Sequence, residues 1–320
     1  MSPSKKIYGL IGYPVKHSLS PLMHNAAFKH LGINAEYRLF EVKPEELEKF
    51  LLNRKEVSGF NITVPHKVRA KEILEKDCSE KHPVKDSDEH PAKDSDEHPA
   101  KDSGEHSPIE DSKKHPAEIS AEIVGAINTV NREPELKFYN TDSIGFSAAL
   151  EKDLGFGKEG KTVLLIGCGG AGRAVIGSLT APDSSVKKIY IYEVNNETAE
   201  SALRYFSQCK YTRSKCEFIG GDRIPEIIGQ CQLLVNASPV GMKETDASSL
   251  DKSLLHKNLY VYDVVYNRVT DLIKDARSLG LAAESGAGML LYQGASAFEI
   301  WIGEEAPVEI MKEALKEGLK

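Results

Sequence analysis

No stretch of this 320-residue chain reaches the roughly 18 consecutive apolar residues of a membrane-spanning helix, so no membrane partner is expected. Positive charge is not in excess either. Against 48 Asp and Glu stand 41 Lys and Arg, a net charge of −7, and a nucleic-acid backbone would need a concentrated basic face. Cysteine is scarce. Cys78, Cys168, Cys209, Cys216 and Cys231 form no CxxC and leave one over in any pairing, which excludes a disulfide framework and fits reduced thiols in a cytosol. The opening "MSPSKKIYGLIGYPVKHS" has two lysines but only a short apolar stretch, broken by Gly12 and Pro14, and so makes a poor secretory signal. A cytoplasmic protein is expected.

The length allows about two domains. Hydrophobic residues at 40% and charged residues at 28% are ordinary for a globular enzyme with a sizeable core. One segment departs from that composition. "KDSDEHPA" fills 85–92 and again 93–100, and "KDSGEHSP" follows; from Ser79 to Ala117 the only large apolar side chains are Val84 and Ile109. Such a segment cannot bury enough surface to offset its ordering entropy, and about 79–117 is read as a solvated, disordered insertion. His82, His90, His98 and His106 recur every eight residues, a step of about 80° around a helix of 3.6 residues per turn. They share no helix face, and no metal site is expected.

Elsewhere strand and helix patterns alternate. "KIYGLIG", "AEYRLFEV" and "GFNITV" read as strands separated by helices; a second series runs through "KTVLLIG", "KKIYIYE", "QLLVNAS" and "LYVYDVVYN", with "DSIGFSAALEKDLGFG" bridging the two. Alternation of this kind implies parallel sheets, here in two α/β domains.

"TVLLIGCGGAGRAVIGSL" carries Gly167, Gly169 and Gly172 in GxGxxG spacing around Gly170 and Ala171, with a strand before and a helix after. Those glycines permit a tight turn that lets a pyrophosphate meet unpaired N–H groups at the helix N-terminus. The next strand ends at Glu193, about 20 residues on, as the fingerprint expects. A carboxylate there can accept hydrogen bonds from both ribose hydroxyls and would repel a 2′-phosphate, and neither Val194 nor Asn195 supplies an arginine. NAD is favoured over NADP.

In "FNITVPHK" Asn61 and Thr63 share one face of an extended strand and can point into a cleft. Pro65 suits a helix start, which sets Lys67 in the first turn of "HKVRAKEIL", where the positive end of the helix dipole disfavours its charged form. In "SLSP", Ser20 is a natural N-cap before Pro21; with Ser18 it forms either a small-anion site or an ordinary cap. Asn128 lies in the alternating "AINTVN". Asp142 precedes a helical run, where it either caps the helix or faces Lys67 to make a proton-transferring pair.

Taken together, "HSLSPLMHN", "GFNITVPHK", "GAINTV", "YNTDSIGF", "IGCGGAGRA", "VNASPVGM", "VYDVVYN" and "GMLLYQGASAFEIW" resemble the shikimate dehydrogenase family and its quinate-using relatives, over nearly the whole chain outside 79–117. The resemblance implies an N-terminal substrate domain (1–143), a Rossmann domain (144–284) and C-terminal helices (285–320) returning to the first. It gives Ser18 and Ser20 a substrate carboxylate, with Tyr266 near it. Asn61, Thr63, Asn128, Asp142 and Gln293 take ring hydroxyls, Lys67 and Asp142 form the catalytic pair, and Ala237 and Gly288 join the glycine-rich turn around the cofactor. NADP is the commoner family cofactor, but Glu193, Val194 and Asn195 replace the usual Asn-Arg-Thr-like clamp. The expectation is reversible NAD(P)-linked reduction of 3-dehydroshikimate to shikimate in aromatic amino acid biosynthesis. The alternatives are an NAD-linked quinate dehydrogenase of catabolism and, from another class, a non-catalytic cofactor-binding or metal-buffering protein using the histidine repeat. Oligomeric state is left open, with a homodimer among the options.

Overall fold

The computed structural model describes residues 4–81, 114–184 and 186–320. The repeats, with Val84, Ile109 and the four histidines at eight-residue spacing, lie outside the described residues.

The first domain runs β1 (Lys6–Gly12), α1 (Ser20–His30), β2 (Ala35–Glu41), α2 (Leu47–Asn53), β3 (Val57–Ile62), α3 (Lys67–Lys81), α4 (Pro116–Val124), β4 (Thr129–Asn131) and β5 (Lys137–Tyr139). Its sheet has the order β2-β1-β3-β4-β5. β1 is parallel to β2 and β3, but β4 is antiparallel to both β3 and β5. The sheet is therefore mixed, not parallel throughout as strand–helix alternation implies. No helix lies between β4 and β5, and strands joined by so short a connection must run antiparallel. The segment 79–117 is also narrower than composition suggests. Residues 79–81 finish α3, Lys114 pairs with Glu122, His115 accepts the Ala117 N–H to cap α4, and Ala117 is buried with its carbonyl bonded to the Asn140 N–H.

The second domain contains β6 (Thr162–Ile166), α6 (Gly170–Thr180), β7 (Lys188–Tyr192), α7 (Asn196–Gln208), β8 (Cys216–Phe218), α8 (Ile224–Ile228), β9 (Leu233–Asn236), β10 (Tyr260–Asp263), α9 (Asp271–Ser278) and β11 (Ala283–Ser285). All its strand pairs are parallel, in the order β11-β10-β9-β6-β7-β8. The winding reverses between β6 and β9, and in such sheets ligands bind at the carboxyl ends of the strands beside that reversal. β6 is apolar at nearly every position because both of its faces are covered. Val163 and Leu165 pack with Phe146, Leu179 and Ile189, whereas Leu164 and Ile166 pack with Ile224, Ile228 and Val261.

Two helices join the domains. α5 (Thr141–Lys152) lies against α10 (Ala287–Ile302) so closely that a Cβ on Gly145 would stand 2.5 Å from the Met289 carbonyl oxygen. α10 then buries Phe298 and Trp301, the chain's one tryptophan, among Tyr8, Phe28 and Tyr37, and the indole N–H donates to the Val130 carbonyl at 3.0 Å. α11 (Val308–Gly318) packs on α1. The C-terminal helices thus lie on the first domain.

His24 of α1 is wholly buried and stacks on Tyr37 with ring centroids 4.3 Å apart and 9° between planes. Burial lowers its pKa from 6.5 to about 3, since the charged ring would lose its hydration. Between those two values the unfolded chain binds a proton that the folded chain does not. Stability therefore falls as pH falls through that window, by up to about 1.4 kcal/mol per pH unit. Urea midpoints compared at neutral and mildly acid pH should drop less in His24→Phe than in the unaltered protein. Parallel declines would remove His24 as the cause.

Candidate active site

Between the domains opens a solvent-accessible cavity of about 170 Å³. Ser18, Ser20, Asn61, Thr63, Lys67, Asn128, Asp142, Tyr266 and Gln293 all line it. Nine residues spread over some 275 positions therefore meet at one surface.

At the start of α1, Leu19 occupies the N-cap position and no side chain caps the helix; Ser20 is the first helical residue and Pro21 the second. The expected Ser20 cap is absent, because the residue lies one position inside the helix. Its hydroxyl instead accepts from Ser18 Oγ at 3.2 Å, and both hydroxyls face the cavity. Pro65 is likewise not the first residue of its helix. A turn closed by the His66 N–H on the Thr63 carbonyl follows β3, the His66 ring bonds to the Val42 carbonyl at 2.7 Å, and α3 begins at Lys67 itself. At α5 the cap is Asn140, whose side chain accepts from the Ser143 N–H at 3.2 Å. Asp142 has no capping duty, and its carboxylate forms an ion pair with Lys67 Nζ. Their side chains are only 10% and 12% exposed, so the pair is largely shielded from solvent screening.

The polar wall is closely knit. Asn61 and Asn128 are buried, each within hydrogen-bond reach of the fully buried Thr129, and Asn128 Nδ2 also reaches Thr141 Oγ1 at 3.0 Å and Gln293 Oε1 at 3.4 Å. Gln293 Nε2 donates to the Leu290 carbonyl. Tyr266 follows β10, and burial pushes its phenol up from the ordinary value.

The glycine-rich turn borders the same cavity. Gly167 has φ +91°, in the left-handed region, and a Cβ on Gly172 would come within 2.2 Å of the Gly167 carbonyl oxygen. Gly169 is the N-cap of α6, and Ala171 lines the cavity. Lys67 Cδ lies 3.0 Å from where a Gly170 Cβ would be, so the ion pair stands at the junction of turn and pocket. Ala237, just after β9, packs behind Gly167. Directly after β7, Glu193 accepts from the Cys168 N–H at 2.7 Å with one oxygen and from the Asn195 N–H at 2.9 Å with the other. A second cavity beside it is lined by Tyr192, Glu193, Val194, Asn196, Ala199, Phe218, Ile219 and Gly220, with no lysine or arginine among them.

Gly288 is placed differently from the other expected cofactor residues. Its Cα packs against Ala149 of α5 and Asp153 just beyond that helix, while Gly286, two residues earlier, lines the cavity with Met289, Leu290 and Gln293. The helical period explains this: 286, 289, 290 and 293 share one face of α10 and its entry, and 288 falls on another. Counting back from Gln293 by three, four and seven residues would have found them. Among the described residues no cluster of three or more His, Cys, Asp or Glu could hold a metal ion, and no helix is long and apolar enough to cross a membrane.

A six-stranded parallel sheet with a glycine-rich first turn, facing a polar pocket with a buried lysine–aspartate pair, defines a two-domain nicotinamide-dinucleotide dehydrogenase acting on a CH–OH group. Residues 10–81 match the family described as shikimate dehydrogenase substrate binding domain, and residues 286–316 the shikimate 5′-dehydrogenase C-terminal domain. The shikimate dehydrogenase (NADP(+)) of Methanopyrus kandleri is 36% identical over 320 residues, covering 98% of this chain and 96% of that one. A crystal structure of a shikimate dehydrogenase in complex with NADP+ superposes with a TM-score of 0.74 at 30% identity, over 99% of this chain and 96% of that one. Shikimate 5-dehydrogenase from Listeria monocytogenes, in complex with shikimate and NAD, gives 0.71 at 30% identity, over 97% and 96%. The chain belongs to the shikimate dehydrogenase family.

Proposed function

We propose that this protein catalyses reversible NAD(P)-linked reduction of 3-dehydroshikimate to shikimate, the reaction that serves aromatic amino acid biosynthesis. The observation that carries the reading is the Lys67–Asp142 ion pair standing against Gly170 of the dinucleotide turn. Gly167, Gly169, Gly170, Ala171 and Gly172 would hold the pyrophosphate, with Ala237 behind them and Glu193 at the adenosine ribose. When bound, the nicotinamide supplies the hydride to C3, or accepts it in reverse. Lys67 gives its ammonium proton to the C3 oxygen during reduction and takes it back during oxidation, while Asp142 holds the lysine and the neighbouring hydroxyl in place. Ser18, Ser20 and Tyr266 offer hydroxyls to the carboxylate; Asn61, Thr63, Asn128 and Gln293 meet the ring hydroxyls. The buried thiols of Cys168 and Cys231 fit a cytoplasmic location.

The test is kcat/KM for shikimate and quinate with each cofactor. Shikimate is expected to be the better substrate. Turnover of quinate alone would move the assignment to the quinate enzyme, and no turnover of either would overturn it.

A further inference from the structure

We propose that Tyr37 and Thr129, neither of which lines the cavity, are positioning residues that fix the polarity of the substrate pocket: Asn61 is held as a hydrogen-bond acceptor and Asn128 as a donor. The proposal rests on the shikimate dehydrogenase reading for the identity of the ligand, but its geometry does not.

A carboxamide has two N–H hydrogens and an oxygen with two lone pairs, so its remaining capacity can be counted. Asn61 Nδ2 spends both hydrogens inside the protein, on Thr129 Oγ1 at 2.9 Å and on the Asn128 carbonyl at 3.3 Å. Its Oδ1 accepts from the Tyr37 hydroxyl at 2.7 Å and keeps one lone pair for the cavity. The flipped amide would set Oδ1 against the Asn128 carbonyl, acceptor against acceptor.

Asn128 is held in the opposite sense. Its Oδ1 accepts from the Thr141 main-chain N–H at 2.7 Å, and a hydroxyl from Thr129 at 3.0 Å or Thr141 at 3.2 Å takes the second lone pair. Only Nδ2 has capacity to spare: one hydrogen goes to Thr141 Oγ1, and the other makes the long 3.4 Å contact with Gln293, which a ligand oxygen can replace.

Thr129 is the hinge of this count. Its oxygen takes the Asn61 N–H, which obliges its single proton to point away, toward Asn128 Oδ1 or Thr141 Oγ1. Tyr37 closes the other end. Its ring is stacked on that of His24, and its hydroxyl proton goes to Asn61 Oδ1. The consequence for specificity is definite. The substrate group facing Asn61 must donate, so it is a hydroxyl in both oxidation states and never the carbonyl that is reduced, which must face Lys67.

The experiment uses shikimate analogues in which fluorine, which cannot donate a hydrogen bond, replaces one ring hydroxyl at a time among those not oxidised. One analogue should lose about 10²-fold in kcat/KM relative to shikimate, because it leaves the Asn61 lone pair facing fluorine. In the Tyr37→Phe, Thr129→Val double variant that ratio should shrink below about tenfold, while Thr129→Ser, which keeps the hydroxyl, retains it. A role confined to folding would lower thermal stability and leave the ratio unchanged, and that result overturns the proposal. A second readout needs no substrate. The Asn61 side-chain N–H hydrogens, followed by NMR in asparagine-labelled protein, should exchange slowly in the unaltered protein and in Thr129→Ser and faster in Thr129→Val; equal rates overturn the proposal. If the unaltered protein fails to oxidise shikimate, the functional reading falls, and the exchange rates still decide the polarity.

Discussion

Lys67→Ala is expected to lower kcat by about 10² to 10⁴, the usual worth of a positioned general acid or base. The size follows from where the lysine stands. Its side chain is enclosed, its ammonium is paired with Asp142, its stem lies against the glycine-rich turn, and among the described residues no other lysine, arginine or histidine lines the cavity to take over the proton. KM for shikimate and the affinity for the dinucleotide should change far less, because the serines, asparagines and glycine turn that would bind them are untouched. Lys67→Arg should not restore activity, since a guanidinium stays charged across the working range and cannot release its proton. Steady-state kinetics with a dinucleotide-binding titration on the same variants separates the effects. Near-normal turnover in Lys67→Ala would show that the proton travels by another route.

Cofactor choice should show the second large effect, a kcat/KM for NAD about 10² above that for NADP. A 2′-phosphate would have to sit beside the Glu193 carboxylate, which cannot swing away without giving up the Cys168 and Asn195 N–H groups, and no lysine or arginine lines the adjoining cavity. Burying like charges together without a compensating cation is costly. Glu193→Gln removes the charge. It keeps an acceptor for only one of those two N–H groups but abolishes the repulsion, so the preference should narrow to about tenfold or less, mainly through KM for NADP. Equal use of both cofactors by the unaltered enzyme would refute this role for Glu193, and a preference for NADP would in addition align the chain with its relatives named for NADP(+).

Much of the site was legible because its chemistry is tied to local signals. The glycine turn announces itself by three glycines after an apolar strand. Lys67 and Asp142 were legible as candidates from the helices they open, and Lys67 does stand in the first turn of α3; the capping patterns differ, since Ser20 lies within α1, Asn140 rather than Asp142 caps α5, and Pro65 precedes α3 by two residues. These differences matter for function. A serine or aspartate relieved of capping has its oxygen available for a ligand. Gly288 shows the opposite case, where a family stretch was recognised but helical phase sent one of its glycines to α5 and brought Gly286 to the cavity.

Tyr37 and Thr129 could not have been singled out by pattern. A tyrosine in a strand and a threonine after an asparagine read as ordinary sheet residues, and their importance arises from partners 24 and 68 positions away.

By itself the sequence determined two α/β units, a glycine-rich turn with a carboxylate after the following strand, and the residue types that can move a proton. These depend on periodicity and on glycine, proline and charge at short range. Tertiary structure alone decided that β4 runs antiparallel to β3, that Lys67 meets Asp142 across 75 positions, and which way each asparagine amide faces. Hydrogen-bond direction and ion pairing depend on atoms a few ångströms apart in space, and separation along the chain does not encode that distance.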